Sequence, residues 1–182
     1  MRIIAGKLRG RRLLAPRGQA IRPTSDRARE ALFDILEHGA PPLRDASFLD
    51  LFCGTGAIGL EAHSRGAAEV LLIESDRAAL KLAEANIARL GGPSSVRVLA
   101  RDASSLGPAP HPFDLVFLDP PYRSNLAAPA LEGLARGGWL AVGARTVVEL
   151  AARDDLDPPP GFTLEDERRY GSAMFLFLRT QS

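Results

Sequence analysis

Two short stretches hold residues whose types and spacing could do chemistry. In "FDLVFLDPPY" (113–122) an apolar run stops at Asp119, Pro120, Pro121 and Tyr122. Consecutive prolines cannot donate to a sheet ladder, so a strand must end there. Its tip then carries a carboxylate, a rigidly held carbonyl and an aromatic ring. An exocyclic amine on a nucleobase is a poor nucleophile, because its lone pair is delocalised into the ring. Asp119 and the Pro120 carbonyl could each accept one of its N–H groups and turn the lone pair toward an electrophile. Fixed acceptors also stabilise positive charge developing on nitrogen. Pro121 stiffens the turn, and Tyr122 could stack on the base. A strand-ending turn with a solvated Asp and Tyr is the plain alternative.

In "DLFCGTGAIGLEA" (50–62), Gly54, Gly56 and Gly59 follow a strand and open a helix. Glycines at that spacing let a ligand approach the backbone at a helix N-terminus, with Phe52 and Cys53 lining the turn. A dinucleotide would be the first guess. Asp50, however, would repel a pyrophosphate and suits an amino group. Glu74 ends the next strand about 20 residues on, where a carboxylate can accept both ribose hydroxyls, and Ser75 follows it. Asp102 and Ala103, at the end of the third strand, can reach an adenine edge. An amino acid, a ribose and an adenine together describe S-adenosylmethionine. Cys53 is read as a packing residue within the turn, since no His stands in support. His38, His63 and His111 are scattered without metal spacing, so no metal is expected.

The elements that must position these residues alternate. Strands are expected at 47–54, 68–75, 95–103, 113–122 and 144–152, with helices at 57–66, 76–92 and 125–141. Strands alternating with helices imply right-handed βαβ units and a parallel sheet. "FTLEDERRYG" and "SAMFLFLRT" read as a closing hairpin, which makes a mostly parallel seven-stranded sheet. Before this body, 26–38 is a helix that Thr24 or Ser25 can cap. Residues 2–5 and 11–15 read as two short strands around a Gly-bracketed basic turn. The division expected is a basic β-hairpin arm over 1–23 and an α/β body over 24–182.

The 182 residues are 46% hydrophobic and 25% charged, as in a globular protein with a full core. One cysteine excludes an intramolecular disulfide and a cysteine-based metal cluster. No apolar run is long enough for a membrane helix or forms a signal-peptide core, so a cytoplasmic, monomeric protein with no membrane partner is expected. Charge is uneven. Residues 1–25 hold Arg2, Lys7, Arg9, Arg11, Arg12, Arg17 and Arg22 with no acid, and a net charge of +1 overall leaves −6 for the rest. A basic arm on an acidic body suits a polyanion such as nucleic acid.

The combination of "DPPY" with "DLFCGTGAIG" resembles the amino-group methyltransferases of DNA and RNA. Together with "MRIIAGKLRGRRL", "RPTSDRAREALFDIL" and "YGSAMFLFLR", it resembles the RsmD-type family over almost the whole chain. That resemblance implies a class I S-adenosylmethionine-dependent methyltransferase of Rossmann-like fold. It implies methylation of a guanine N2 in 16S ribosomal RNA, with the small ribosomal subunit or an assembly intermediate as partner. It also implies that Arg22, Pro23, Thr24 and Arg27 belong to a segment closing over the cofactor. Cys53 and Thr55 stand where that family often has smaller or hydroxyl residues. Arg2, Lys7, Arg9, Arg11, Arg12 and Arg27 are the expected RNA contacts. Adenine-N6 methylation of DNA or RNA is the nearest rival, since the same tetrapeptide serves either amine. A noncatalytic cofactor-binding assembly factor is disfavoured by Asp119, and a dehydrogenase by Asp50 and the DPPY turn.

Overall fold

The computed structural model describes residues 1–16, 25–121 and 124–181. Arg17, Arg22, Pro23, Thr24 and Tyr122 lie outside the described residues. Strands β1 (Ser47–Leu51), β2 (Glu69–Glu74) and β4 (Phe113–Leu118) are short, apolar and buried along most of their length. Such strands need cover on both faces, which parallel sheets receive from their crossover helices. With β3 (Val96–Ala100), β5 (Leu140–Ala151), β6 (Phe162–Tyr170) and β7 (Ala173–Thr180) they form one sheet, in the order β3-β2-β1-β4-β5-β7-β6. Strands β1 to β5 are parallel, and β7 inserts antiparallel between β5 and β6. The edge strand β6 carries five consecutive charged residues, Glu165 to Arg169, and its register slips between Leu164 and Asp166.

Each face of the sheet has its own apolar layer. Helices α1 (Asp26–Glu37), α2 (Ala57–Arg65) and α3 (Arg77–Arg89) cover one face, where Phe33, Leu36, Leu60 and Ala83 meet Phe48, Leu72, Phe117 and Val147. Helix α4 (Ala127–Arg136) covers the other, packing Leu131 and Leu134 with Trp139 against Leu49, Val116 and Val148. Strand order reverses between β1 and β4, and a ligand crevice opens at the carboxyl ends of strands at such a point.

Local boundaries follow local chemistry. Ser25 caps α1 by accepting the Ala28 N–H at 3.1 Å. Helix α3 ends at Arg89, short of the expected 92, because Gly91 and Gly92 take positive φ and the Gly92 N–H turns back to the Ile87 carbonyl. Likewise α4 stops at Arg136. The left-handed Gly138 redirects the chain, Trp139 Nε1 donates to the Gly107 carbonyl at 2.8 Å, and β5 starts at Leu140, inside the span expected to be helical. Strand β3 ends at Ala100 and β4 at Leu118, immediately before the DPP turn.

The amino-terminal hairpin is present but short. One antiparallel bridge, Arg2↔Arg12, with the Ile3 and Leu13 N–H groups donating to the Arg11 and Met1 carbonyls at 2.9 and 3.0 Å, spans a 3-10 turn at Gly6–Leu8. Other amides of the arm go to α2: Ile4 and Ala5 donate to the Glu61 carboxylate at 2.7 and 2.9 Å, and Leu8 donates to Ser64 Oγ at 2.9 Å. Ile3 and Leu13 enter the same apolar layer as α1 and α2.

Helix α2 lies so close to β2 that a Cβ on Gly59 would stand 2.3 Å from Leu72 Cδ2 and 2.9 Å from Val70 Cγ1. Gly59→Ala is therefore expected to lower stability by about 1–3 kcal/mol through overpacking. Urea unfolding measures this; an unchanged midpoint would show that α2 shifts freely on the sheet.

Candidate active site

The turn after β1 is built from left-handed residues: Phe52 at φ 58°, Gly54 at 55° and Gly56 at 76°. Phenylalanine has no intrinsic preference for this conformation, so its surroundings impose it. The Cys53 N–H donates to the Ile73 carbonyl at 3.0 Å, and the Gly56 N–H to the Cys53 carbonyl at 2.8 Å. The glycines divide their tasks. A Cβ on Gly56 would stand 2.9 Å from Leu72 Cδ1, so Gly56, like Gly59, serves close packing. Beyond Gly54 nothing lies within 4 Å of where a Cβ would stand, which leaves that side of its Cα open to a ligand.

Glu74, at the tip of β2, clamps this turn. Its Oε2 accepts the Gly54 N–H at 2.9 Å, and its Oε1 accepts the Ser75 and Asp76 N–H groups at 2.8 and 2.9 Å. Oε1 is filled by its two bonds, and Oε2 retains capacity for one hydroxyl donor. Asp102, past β3, is exposed. Its Oδ1 accepts from the Ser104 N–H and hydroxyl at 2.8 and 2.7 Å, which hold its pKa below the ordinary value. Its neighbour Ala103 is 2% exposed and packs in the α4 layer. An open backbone at Gly54 with carboxylates at the next two strand tips fits the donor set that a ribose and an adenine require.

Asp50 lies beneath the turn rather than at its surface. It is 1% exposed, and its Oδ2 accepts the Gly59 N–H at 2.9 Å. Burial raises its pKa to about 7 against the pull of that hydrogen bond, and Glu74 adds to the rise. Cys53 is buried, and burial, then Asp50 and Glu74, push its thiol well above the usual value. A thiol so protonated packs and does not attack.

The DPP turn stands next to this site. The Asp119 N–H reaches the Leu51 carbonyl at 3.4 Å, joining the ends of β4 and β1. Burial raises the Asp119 pKa well above the usual value, followed by the charges of Glu149 and Asp50. Phe48, Phe117 and Val147 share one core layer, and two residues farther along each chain stand Asp50, Asp119 and Glu149. The period of two therefore aligns three carboxyl groups on one face, across adjacent strand tips. Glu149, 2% exposed, is the residue that sequence reasoning missed here. It reads as one polar position in an apolar strand, and only the pairing of Leu118 with Val148 places it beside Asp119. Pro120 is buried and Pro121 exposed, and both border a cavity of about 570 Å³ that Ser124, Leu150 and Asp155 also line.

The expected RNA contacts, Arg2, Lys7, Arg9, Arg11, Arg12 and Arg27, are all exposed. Arg2 lies 3.8 Å from Asp26, and Arg11 donates to the Arg89 carbonyl at 2.9 Å. Among the described residues no cluster of His, Cys, Asp and Glu could hold a metal, and no helix is long and apolar enough to cross a membrane. His38 pairs with its own helix, His63 with Ser95 and His111 with Glu69.

A sheet in this order, with an open glycine turn after its first strand and acceptors after its fourth, defines a class I S-adenosylmethionine-dependent methyltransferase. A ribosomal protein L11 methylase from Lactobacillus delbrueckii shares the fold, with a TM-score of 0.66 over 85% of this chain and 80% of its own at 17% identity. The solved structure of yhhF from Escherichia coli is nearer, with a TM-score of 0.86 and 40% identity over 100% of this chain and 98% of its own. The chain belongs to the RsmD family, whose model, "Conserved hypothetical protein 95", matches residues 1–179. It is 40% identical to Ribosomal RNA small subunit methyltransferase D of Escherichia coli K12 over 176 residues, covering 96% of this chain and 87% of that relative.

Asp50 has a cost that can be measured. Its folded pKa of about 7 exceeds the ordinary 3.8. Between those values the folded chain keeps a proton that the unfolded chain has released, so stability falls as pH rises through that window. Asp50→Asn is expected to be more stable than the parent at pH 8, by about 2–4 kcal/mol, and to bind S-adenosylhomocysteine more weakly. Thermal unfolding at pH 4 to 8, with and without that ligand, reads both effects. A variant less stable than the parent at pH 8 would overturn this account of Asp50.

Proposed function

We propose that this methyltransferase transfers a methyl group from S-adenosylmethionine to the N2 amine of a guanine in 16S ribosomal RNA of the small ribosomal subunit. One observation carries the reading: the Asp119-Pro120-Pro121 acceptors adjoin the glycine turn, joined through the 3.4 Å contact of Asp119 with Leu51. The name of the Escherichia coli relative supports ribosomal RNA of the small subunit as substrate.

Gly54 and Glu74 hold the cofactor's amino-acid and ribose portions, and Asp102 faces its adenine. Phe52, Cys53, Gly56 and Ser75 shape the same wall, and Ala103 supports it from the core; the family resemblance assigns Arg22, Pro23 and Thr24 to a segment closing over the cofactor. When bound, S-adenosylmethionine supplies a methyl group on a positively charged sulfur, whose transfer leaves a neutral thioether and a methylated amine with one proton to lose. Asp119 and the Pro120 carbonyl each accept one N–H of the target amine and aim its lone pair. Ionised, Asp119 is the stronger acceptor and better offsets charge developing on nitrogen, although burial, Glu149 and Asp50 favour its protonated form in the free chain. Positive charge entering the site reverses that balance and restores the acceptor. Tyr122 stacks on the base, which must leave any helix to reach the turn. Arg2, Lys7, Arg9, Arg11, Arg12 and Arg27 contact phosphate and set no sequence preference.

The decisive assay supplies labelled donor and small-subunit particles, then digests the RNA to nucleosides. Label is expected in N2-methylguanosine; label confined to N6-methyladenosine would replace this reading with adenine methylation. Asp119→Ala is expected to lose turnover by about 10²–10³-fold while keeping its affinity for S-adenosylhomocysteine. In the parent, turnover rises with pH along an acid limb above the usual carboxylate range, and Asp119→Asn should lose that limb. Retained turnover in Asp119→Ala would remove the DPP turn from the mechanism.

Reversing Arg9 and Arg12 to Glu should weaken particle binding and flatten the slope of log K against log salt by roughly 1–2. An unchanged slope would take the arm out of the RNA interface.

A further inference from the structure

Helix α3 buries only two of its residues, Ala83 and Asn86. Ala83 backs the glycine turn, for a Cβ on Gly56 would lie 3.7 Å from its methyl group. Asn86, one helical turn on, is 0% exposed, and its amide faces two segments at once. Its Oδ1 accepts the Leu14 N–H at 2.7 Å, and its Nδ2 donates to the Leu14 carbonyl at 3.2 Å. The same Nδ2 donates to the Thr55 carbonyl at 3.0 Å. Thr55 stands between Gly54, the open backbone position, and Gly56. Leu14 lies in the second half of the basic arm, two residues past Arg12. One buried side chain thus serves Leu14 as a strand partner would, and extends that pairing to the glycine turn.

Burial of the Leu14 side chain does not explain the contact, because that side chain is 39% exposed. The arm's other anchors do not reach the turn through hydrogen bonds of this kind. Glu61 and Ser64 hold residues 4–8 to α2, and Arg89 Nε donates to the Arg12 carbonyl at 3.0 Å. Thr55 Oγ1 meets Met1 Sδ at 4.0 Å, a weak contact that draws the start of the arm to the same residue. A buried amide that loses one of its partners finds no water in exchange, so displacing either the turn or the arm disfavours the other's position.

We infer that Asn86 is a positioning residue that couples occupation of the glycine turn to order in the basic arm. Coupling of this kind is reciprocal. A ligand that fixes Gly54 and Thr55 holds the Asn86 amide, and that amide holds Leu14. An arm fixed on a polyanion holds the turn in its ligand-binding shape. The RNA half of this statement rests on the proposed function; the link between arm and turn does not.

Amide hydrogen exchange of the full chain tests the link with S-adenosylhomocysteine as probe. In the parent, the ligand should slow exchange of the Leu13 and Leu14 amides about tenfold. In Asn86→Ala, and in Asn86→Asp, which keeps an acceptor for Leu14 but loses the donors, the ligand should still bind. It should then change arm exchange less than about twofold. Should Asn86→Ala fail to fold, the Asp variant carries the comparison. Arg89→Ala cuts only the Arg12 contact, so its arm should exchange faster throughout yet still slow about tenfold with ligand. Small-subunit particles should bind the parent about five- to tenfold more tightly when the ligand is present, and the Asn86 variants equally with and without it. No ligand effect on arm exchange in the parent, or an undiminished effect in both Asn86 variants, overturns the inference. Coupled exchange without any particle binding would instead leave the link standing and refute the RNA reading.

Discussion

A carboxyl group buried under a glycine turn sets the terms for much of this molecule. Asp50 holds the Gly59 N–H in the first turn of α2, and Gly59 is the residue that brings α2 against Leu72 and Val70 of β2. Helix α2 is then placed deeply enough for eight of its nine residues to be buried. That depth brings Glu61, Ser64 and Arg65 to a protein interior, where each must find partners. Glu61 takes the Ile4 and Ala5 amides and Arg65 Nε, and Arg65 also stacks over Phe33 of α1 at 5.1 Å. The arm and α1 are thus fastened to the sheet through a helix that one carboxyl group orients. A neutral acceptor could hold Gly59 as well. The acid adds negative charge at the positive end of a helix and beneath a site that receives a cation.

The same logic extends along the strand tips. Asp50, Asp119 and Glu149 face one side of β1, β4 and β5; burial, Glu149 and Asp50 make ionisation of Asp119 harder. Such repulsion is tolerated at functional sites, where an arriving positive charge relieves it. The described cations of the arm, Arg2, Lys7, Arg9, Arg11 and Arg12, are by contrast exposed.

Much of this was legible because the chemistry is local. Two prolines end a strand wherever they fall, and Ser25 caps a helix through a bond three residues away. Glycines at 54, 56 and 59 announce a ligand turn, although only the structure separates the open Gly54 from the two that serve packing. What was hidden depends on distant partners. In helix α3, Leu80, Ala83, Ile87 and Leu90 recur at helical spacing, yet a polar residue, Asn86, is fully buried because its partners lie 72 and 31 residues away. Glu61 lies within the α2 helix span, and nothing near it in the sequence marks it as buried, because its arm amides lie 57 and 56 residues back. The arm itself read as two short strands around a Gly-bracketed basic turn. No pattern within it reveals that three of its amides bond to α2. Phe52 gave no signal at all of its left-handed backbone.

The outermost strand has a consequence for the protein among other chains. Strand β6 offers an unpaired edge, and an unpaired edge is a template for another strand. Here it presents Glu165 to Arg169 in unbroken succession, with Arg168 bound to Asp166 and Arg169 to Glu167, both at 2.8 Å. Glu165 ties down Arg145 and Arg179 on the neighbouring strands. A strand approaching from outside would have to desolvate that row and match a slipped register between Leu164 and Asp166. Among the described residues no helix covers this edge, so the charged row itself opposes addition there, which guards a newly made chain against edge-to-edge aggregation.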